Sequence, residues 1–90
     1  MPEKFVTIVN HKGLHARSAA KLVALAKEYP CQIQLQAADK SADCASMMAL
    51  MMLAAGMGTE VCVRAEGPQD HAAVEAICAL IEAGFDEQDE

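Results

Sequence analysis

Residues 31–37 read Cys-Gln-Ile-Gln-Leu-Gln-Ala, with apolar and amide side chains in strict alternation. Successive side chains of a strand point to opposite faces of the sheet. Cys31, Ile33, Leu35 and Ala37 are therefore expected inward, and Gln32, Gln34 and Gln36 in water. A sheet with one wet face is characteristically antiparallel and needs a helical layer on the other face only.

The flanking sequence supplies that layer. Phe5 to Val9 is β-branched and aromatic and predicts a first strand. Asn10 to Gly13 reads as a loop. From Ala16 the period becomes helical, with Ala19, Leu22, Val23 and Ala26 on one stripe and Arg17, Lys21 and Glu28 off it. Tyr29-Pro30 ends that helix. After Ala37 the pair Ala38-Asp39 predicts a tight turn, and Lys40 to Asp43 a short polar edge strand. Ser46 to Ala55 reads as a helix capped by Ser46 and stopped by Gly56 and Gly58. Glu60 to Glu66 is a fourth strand. Asp70 is expected to cap a last helix with the stripe Val74, Ile77, Cys78 and Ile81. Gly84 stops it, and Phe85 is expected to pack back onto the core. Asp86 to Glu90 reads as a frayed acidic tail. The order β-α-β-β-α-β-α predicts one domain, residues 1–90. Its class is α/β two-layer (α+β), an open-faced sandwich with three helices on one face of an antiparallel sheet.

Composition removes several functions. The chain of 90 residues is 53% hydrophobic, enough for a folded core, while only 3% is aromatic and the net charge is −6. Scarce stacking groups and an acidic balance argue against nucleic acid as a partner. No apolar run reaches bilayer length, and the first residues lack a signal-peptide pattern, so no membrane insertion and a cytoplasmic location are expected. Cys31, Cys44, Cys62 and Cys78 form no C-x-x-C pair, so neither a zinc site nor a redox motif is expected, and reduced, mostly buried thiols are. His11 and His71 stand without partners at metal-ligand spacing and are expected to face solvent.

The positive charge is concentrated. Lys12, Arg17, Lys21 and Lys27 are opposed only by Glu28 within residues 10–30, a local charge of +3 in an otherwise acidic chain. That region contains Gly-Leu-His-Ala-Arg-Ser-Ala, residues 13–19, with His15 directly before the helix. Helix starts carry unpaired N–H groups and the positive end of the dipole, and so attract anions. A neutral imidazole there has a lone pair that can attack phosphorus. The N–H groups of Ala16, Arg17 and Ser18 can receive phosphoryl oxygens, and the Arg17 guanidinium offers a planar fork of donors. No Walker motif, G-x-G-x-x-G or paired carboxylates occur, so another protein is a better phosphoryl donor than a nucleotide.

The stretch G-L-H-A-R-S-A resembles the active-site signature G-[LI]-H-A-R-P-A of HPr, the histidine-containing phosphocarrier family of the bacterial phosphotransferase system. Residues 46–53, S-M-M-A-L-M-M-L, followed by glycines, are similar to that family's S-I-M-G-V-M-S-L segment. Length and element order agree, so the resemblance covers essentially the whole chain. It implies the strand order 1-4-2-3. It implies that His15 takes a phosphoryl group on Nδ1 from Enzyme I and gives it to a histidine of an Enzyme IIA, for sugar uptake or in a nitrogen-type branch. Arg17 carries over as the phosphate-stabilising residue. The chain is then a carrier rather than an autonomous enzyme, a monomer, with no cofactor and no metal. Ser18 departs from the usual proline, which loosens the first helical turn or offers a hydroxyl to the phosphate. Lys12 stands where small polar residues are common and adds a cation.

Met47, Met48, Met51 and Met52 are too many for one buried stripe on a short helix. Met47, Met48 and Met51, with Lys12 and Lys21, are expected to dock partner proteins, since methionine adapts to several surfaces. Ser46 matches a serine that an HPr kinase/phosphorylase modifies in some family members. The family often has lysine before it, where this chain has Ala45. A competing function is a regulatory module that binds partners through the methionine helix under control of Ser46. A further one is a small-molecule-binding α/β domain, which would need a pocket.

Overall fold

A computed structural model describes residues 2–86. The expected acidic tail beyond Asp86 lies outside the described residues. The elements are β1 (Glu3–Thr7), α1 (Ala16–Ala26), β2 (Gln32–Ala37), β3 (Lys40–Asp43), α2 (Met47–Met52), β4 (Glu60–Glu66) and α3 (Asp70–Glu82), followed by a 3₁₀ turn, Gly84–Asp86. The four strands form one antiparallel sheet in the order β1-β4-β2-β3. This is the open-faced sandwich implied above.

The alternation in β2 holds: Ile33, Leu35 and Ala37 are buried while the three glutamines are exposed. Val6, Val61, Val63, Ala65 and Ala42 continue the buried face across the other strands. Leu22 of α1, Leu50 of α2, and Ile77 and Ile81 of α3 close over it without residual exposure. Phe85 packs back into the same core. Truncating Leu22, Leu50, Ile77, Ile81 or Phe85 to alanine removes transfer energy and leaves a cavity, about 2–5 kcal/mol.

Several boundaries differ from expectation. The first strand is Glu3–Thr7, not Phe5–Val9, because its partner sets the register: Glu3 faces Arg64 and Thr7 faces Glu60. The Glu3 carboxylate also meets Arg64 Nε at 2.8 Å. Phe5 thus lies exposed on the open face. Cys31 precedes β2 and is only half-buried, against Gly67. The first helix stops at Ala26, before Tyr29-Pro30, since Glu28 and Tyr29 turn to the tighter bonds Glu28 N–H to Leu25 (3.0 Å) and Tyr29 N–H to Ala26 (3.2 Å). Asp70 is the first residue of α3 rather than its cap. Gln69, in the left-handed region, takes the cap position without a side-chain bond.

All four cysteines are free thiols. Burial above all, with Asp43 beside it, pushes the Cys44 thiol up from an ordinary 9.0 to about 12. The folded thiol keeps its proton to higher pH than the unfolded one. Its contribution to stability is complete below pH 9 and is lost as pH rises from 9 towards 12, amounting to about 4 kcal/mol at most. Thermal unfolding followed from pH 8 to 11 should show a steep alkaline fall that Cys44→Ala flattens. An unchanged slope in the variant would remove Cys44 from the account.

Candidate functional site

The loop before α1 is built around one carbonyl. Gly13 has φ +65, in the left-handed region. Its oxygen accepts Asn10 Nδ2–H at 2.9 Å and Ser18 Oγ–H at 3.1 Å. The next amide, Leu14 N–H, donates to the Ala55 carbonyl at 2.8 Å. The two loops touch so closely that a Cβ on Gly13 would lie 2.6 Å from that same oxygen. Asn10 and Ala55 were not singled out from sequence. A polar residue three places before a glycine is the only local signal for Asn10, and nothing local signals Ala55.

This contact also ends α2 early. The helix covers only Met47–Met52, shorter than the expected Ser46–Ala55, and is not stopped by Gly56 and Gly58. Ala54 turns to φ 54 instead, and the chain brings the Ala55 carbonyl onto Leu14 N–H.

His15 is the N-cap of α1, in extended backbone (φ −127, ψ −173). Its carbonyl accepts the first helical bond, from Ala19 N–H at 2.8 Å. Its ring Nδ1 accepts Arg17 N–H at 3.3 Å, and Ser18 N–H is directed at the same side chain. A nitrogen that accepts an N–H must hold its lone pair there, so the neutral ring carries its proton on Nε2. The half-exposed ring therefore has its Nδ1 lone pair at the positive end of α1, whose first turn contains no acidic residue.

The cations fall into two groups. Lys12 and Arg17 are exposed beside the ring in sequence. Lys21 is half-buried, and its ammonium donates to the carbonyl of Phe85, tying α1 to the C-terminal turn. Ser18 is fully buried, and its hydroxyl bonds backbone groups of the loop. Ala16, Arg17 and Ser18 contribute the first amides of the helix.

On α2 only Leu50 is buried. Met47, Met48, Met51 and Met52 are all exposed, as is Met57 in the following loop. Met52, outside the expected docking set of Met47, Met48 and Met51, is as exposed as Met48, at 71%, and its spacing of four residues from Met48 is the local signal for it. Ser46 is the N-cap of α2, its Oγ accepting Ala49 N–H at 3.2 Å. His11 and His71 are exposed, and His71 lies beside Asp70. Among the described residues no group of three or more His, Cys, Asp or Glu is placed to hold a metal ion. No described helix is long and apolar enough to cross a membrane.

Comparison with known proteins agrees with this fold. Residues 2–83 match the family described as PTS HPr component phosphorylation site. The phosphocarrier protein HPr of Pseudomonas putida is 50% identical over 88 residues, covering 97% of this chain and 98% of the relative. The phosphocarrier protein NPr of Shewanella violacea is 46% identical over 85 residues, covering 94% and 93%. A crystal structure of HPr from Thermoanaerobacter tengcongensis superimposes with a TM-score of 0.92 at 36% identity, covering 98% of this chain and 99% of that one. With a family match over nearly all its length, a relative 50% identical and the same fold, the chain is a member of the HPr family of phosphocarrier proteins.

Proposed function

We propose that His15 Nδ1 receives a phosphoryl group from phosphorylated Enzyme I and passes it to a histidine of an Enzyme IIA in the cytoplasm. The observation that supports this best is the direction of the Nδ1 lone pair at the start of α1. In the transfer, that lone pair gives up the Arg17 N–H and forms the new N–P bond as the donor's N–P bond breaks. The departing ring recovers a proton equivalent to the one His15 gives up at Nε2. The amides of Ala16, Arg17 and Ser18 and the Arg17 guanidinium then face phosphoryl oxygens, with Lys12 adding charge. Catalysis comes from position and charge.

Met47, Met48, Met51 and Met52 form the docking surface, beside α1. The identity of the Enzyme IIA that accepts the group decides between sugar uptake and a nitrogen-type branch.

The test is incubation with Enzyme I and phosphoenolpyruvate, followed by mass spectrometry and then by transfer to each Enzyme IIA. One acid-labile phosphoryl group on His15 is expected. An unmodified chain overturns the proposal. Arg17→Ala should slow uptake by about 100- to 1000-fold, the scale of one removed oxyanion donor. The variant should unfold at the same temperature as the parent, because Arg17 is exposed and off the buried stripe.

A further inference from the structure

We infer that Ser18 is a positioning residue for the phosphoryl-accepting ring: its buried hydroxyl and its backbone N–H together fix where the His15 Nδ1 lone pair points. This builds on the assignment of His15 as the acceptor.

A serine without solvent exposure must satisfy its hydroxyl inside the protein. Ser18 does so with the two ends of the His15 loop. Its Oγ accepts His15 N–H at 2.9 Å and donates towards Gly13 O at 3.1 Å, with His15 O at 3.2 Å. Gly13 O also receives Asn10 Nδ2–H. The hydroxyl therefore closes a ring of contacts through residues 13, 15 and 18 that holds the His15 backbone extended. From that backbone the imidazole reaches back to the Arg17 and Ser18 amides, completing a reciprocal capping box.

The family signature usually places proline at this position. Proline restricts the first turn through its ring but has neither a hydroxyl nor an N–H. In this chain hydrogen bonds perform the task that the pyrrolidine ring performs there. The burial of Oγ also separates this role from that of a phosphate ligand, because a phosphoryl group on Nδ1 would meet the Ser18 amide and not its hydroxyl.

The experiment compares the parent with Ser18→Ala, which removes only the hydroxyl, and Ser18→Pro, which removes hydroxyl and amide. Nitrogen-15 spectra of the His15 ring are recorded on the unphosphorylated proteins. Uptake from Enzyme I is then timed, with thermal unfolding in parallel. The parent should show one tautomer, protonated at Nε2, with Nδ1 shifted as a hydrogen-bond acceptor. Ser18→Ala should move Nδ1 towards a tautomer-averaged value and slow uptake about tenfold, since small misplacements of a reacting group carry penalties of that order or more. Ser18→Pro keeps the Arg17 N–H bond and restrains the same turn through its ring, so it should retain the acceptor shift and take up phosphoryl faster than Ser18→Ala. A Ser18→Ala protein that alters only the unfolding temperature, with ring signals and relative uptake unchanged, would overturn the inference. The ring spectra need no phosphorylation, so a parent that Enzyme I fails to modify would refute the carrier assignment and leave this test readable.

Discussion

His15→Ala is expected to take up no phosphoryl group from Enzyme I, a loss on the order of 10⁴-fold or more, as when a nucleophile is deleted. The reason is covalent: His15 supplies the imidazole that caps α1, and the amides and guanidinium beside it have no lone pair free to attack phosphorus. His11 and His71 remain in the variant and are exposed, so they act as internal controls. Label that persisted on either of them would show that the helix-start geometry is not what selects the acceptor. The fold should survive. The ring is half-exposed and caps the first turn of α1, a contribution worth about 1 kcal/mol. Circular dichroism and unfolding temperature close to the parent's, with abolished uptake, is the expected pair of results.

Gly13→Ala is expected to produce the opposite separation, a damaged fold before a damaged chemistry. The residue sits at φ +65, where an L side chain costs about 1–2 kcal/mol. The new Cβ would also lie 2.6 Å from the Ala55 carbonyl and 2.7 Å from Gly56 Cα, both backbone atoms that cannot swing aside. Relief requires the two loops to part, which breaks the bond from Leu14 N–H to Ala55 and costs about 1 kcal/mol more. A total near 3 kcal/mol corresponds to a drop of roughly 15 °C in a domain of this size. Gly56→Ala is the matched control. Its φ lies outside the left-handed region and a Cβ there meets nothing within 4 Å, so calorimetry should find it near the parent. Equal effects of the two substitutions would exclude the close approach as the cause.

The sheet was legible because its pattern is local. Alternation from Ile33 to Ala37 requires one wet face whatever the partners are. The strand order and the choice of Nδ1 were different: both came with the family resemblance, and while the pairing supplies the order, the structure shows of Nδ1 only that it accepts the Arg17 amide. The misplaced boundaries share a physical origin. β1 is an edge strand whose limits are set by Glu60 and Arg64 across the ladder, information held 53 to 61 residues away. α2 ends where Ala55 must meet Leu14, although its residues are good helix formers up to that point. Ser18 illustrates a related limit. Its departure from the usual proline was visible, but whether a serine hydroxyl faces a phosphate or a carbonyl depends on burial that one sequence does not state.

The contact of Leu14 with Ala55 also bears on how such a carrier meets its partners. Through it the segment bearing His15 and the segment leaving the methionine helix are ordered together when the chain folds. The conformational entropy of arranging the two has already been lost before any encounter. On the proposed docking surface, recognition can then be brief and shallow, resting on a few adaptable thioether contacts and still presenting the ring in a competent orientation. A loosely held but prearranged surface suits a shuttle, which must leave one protein as readily as it joins the next.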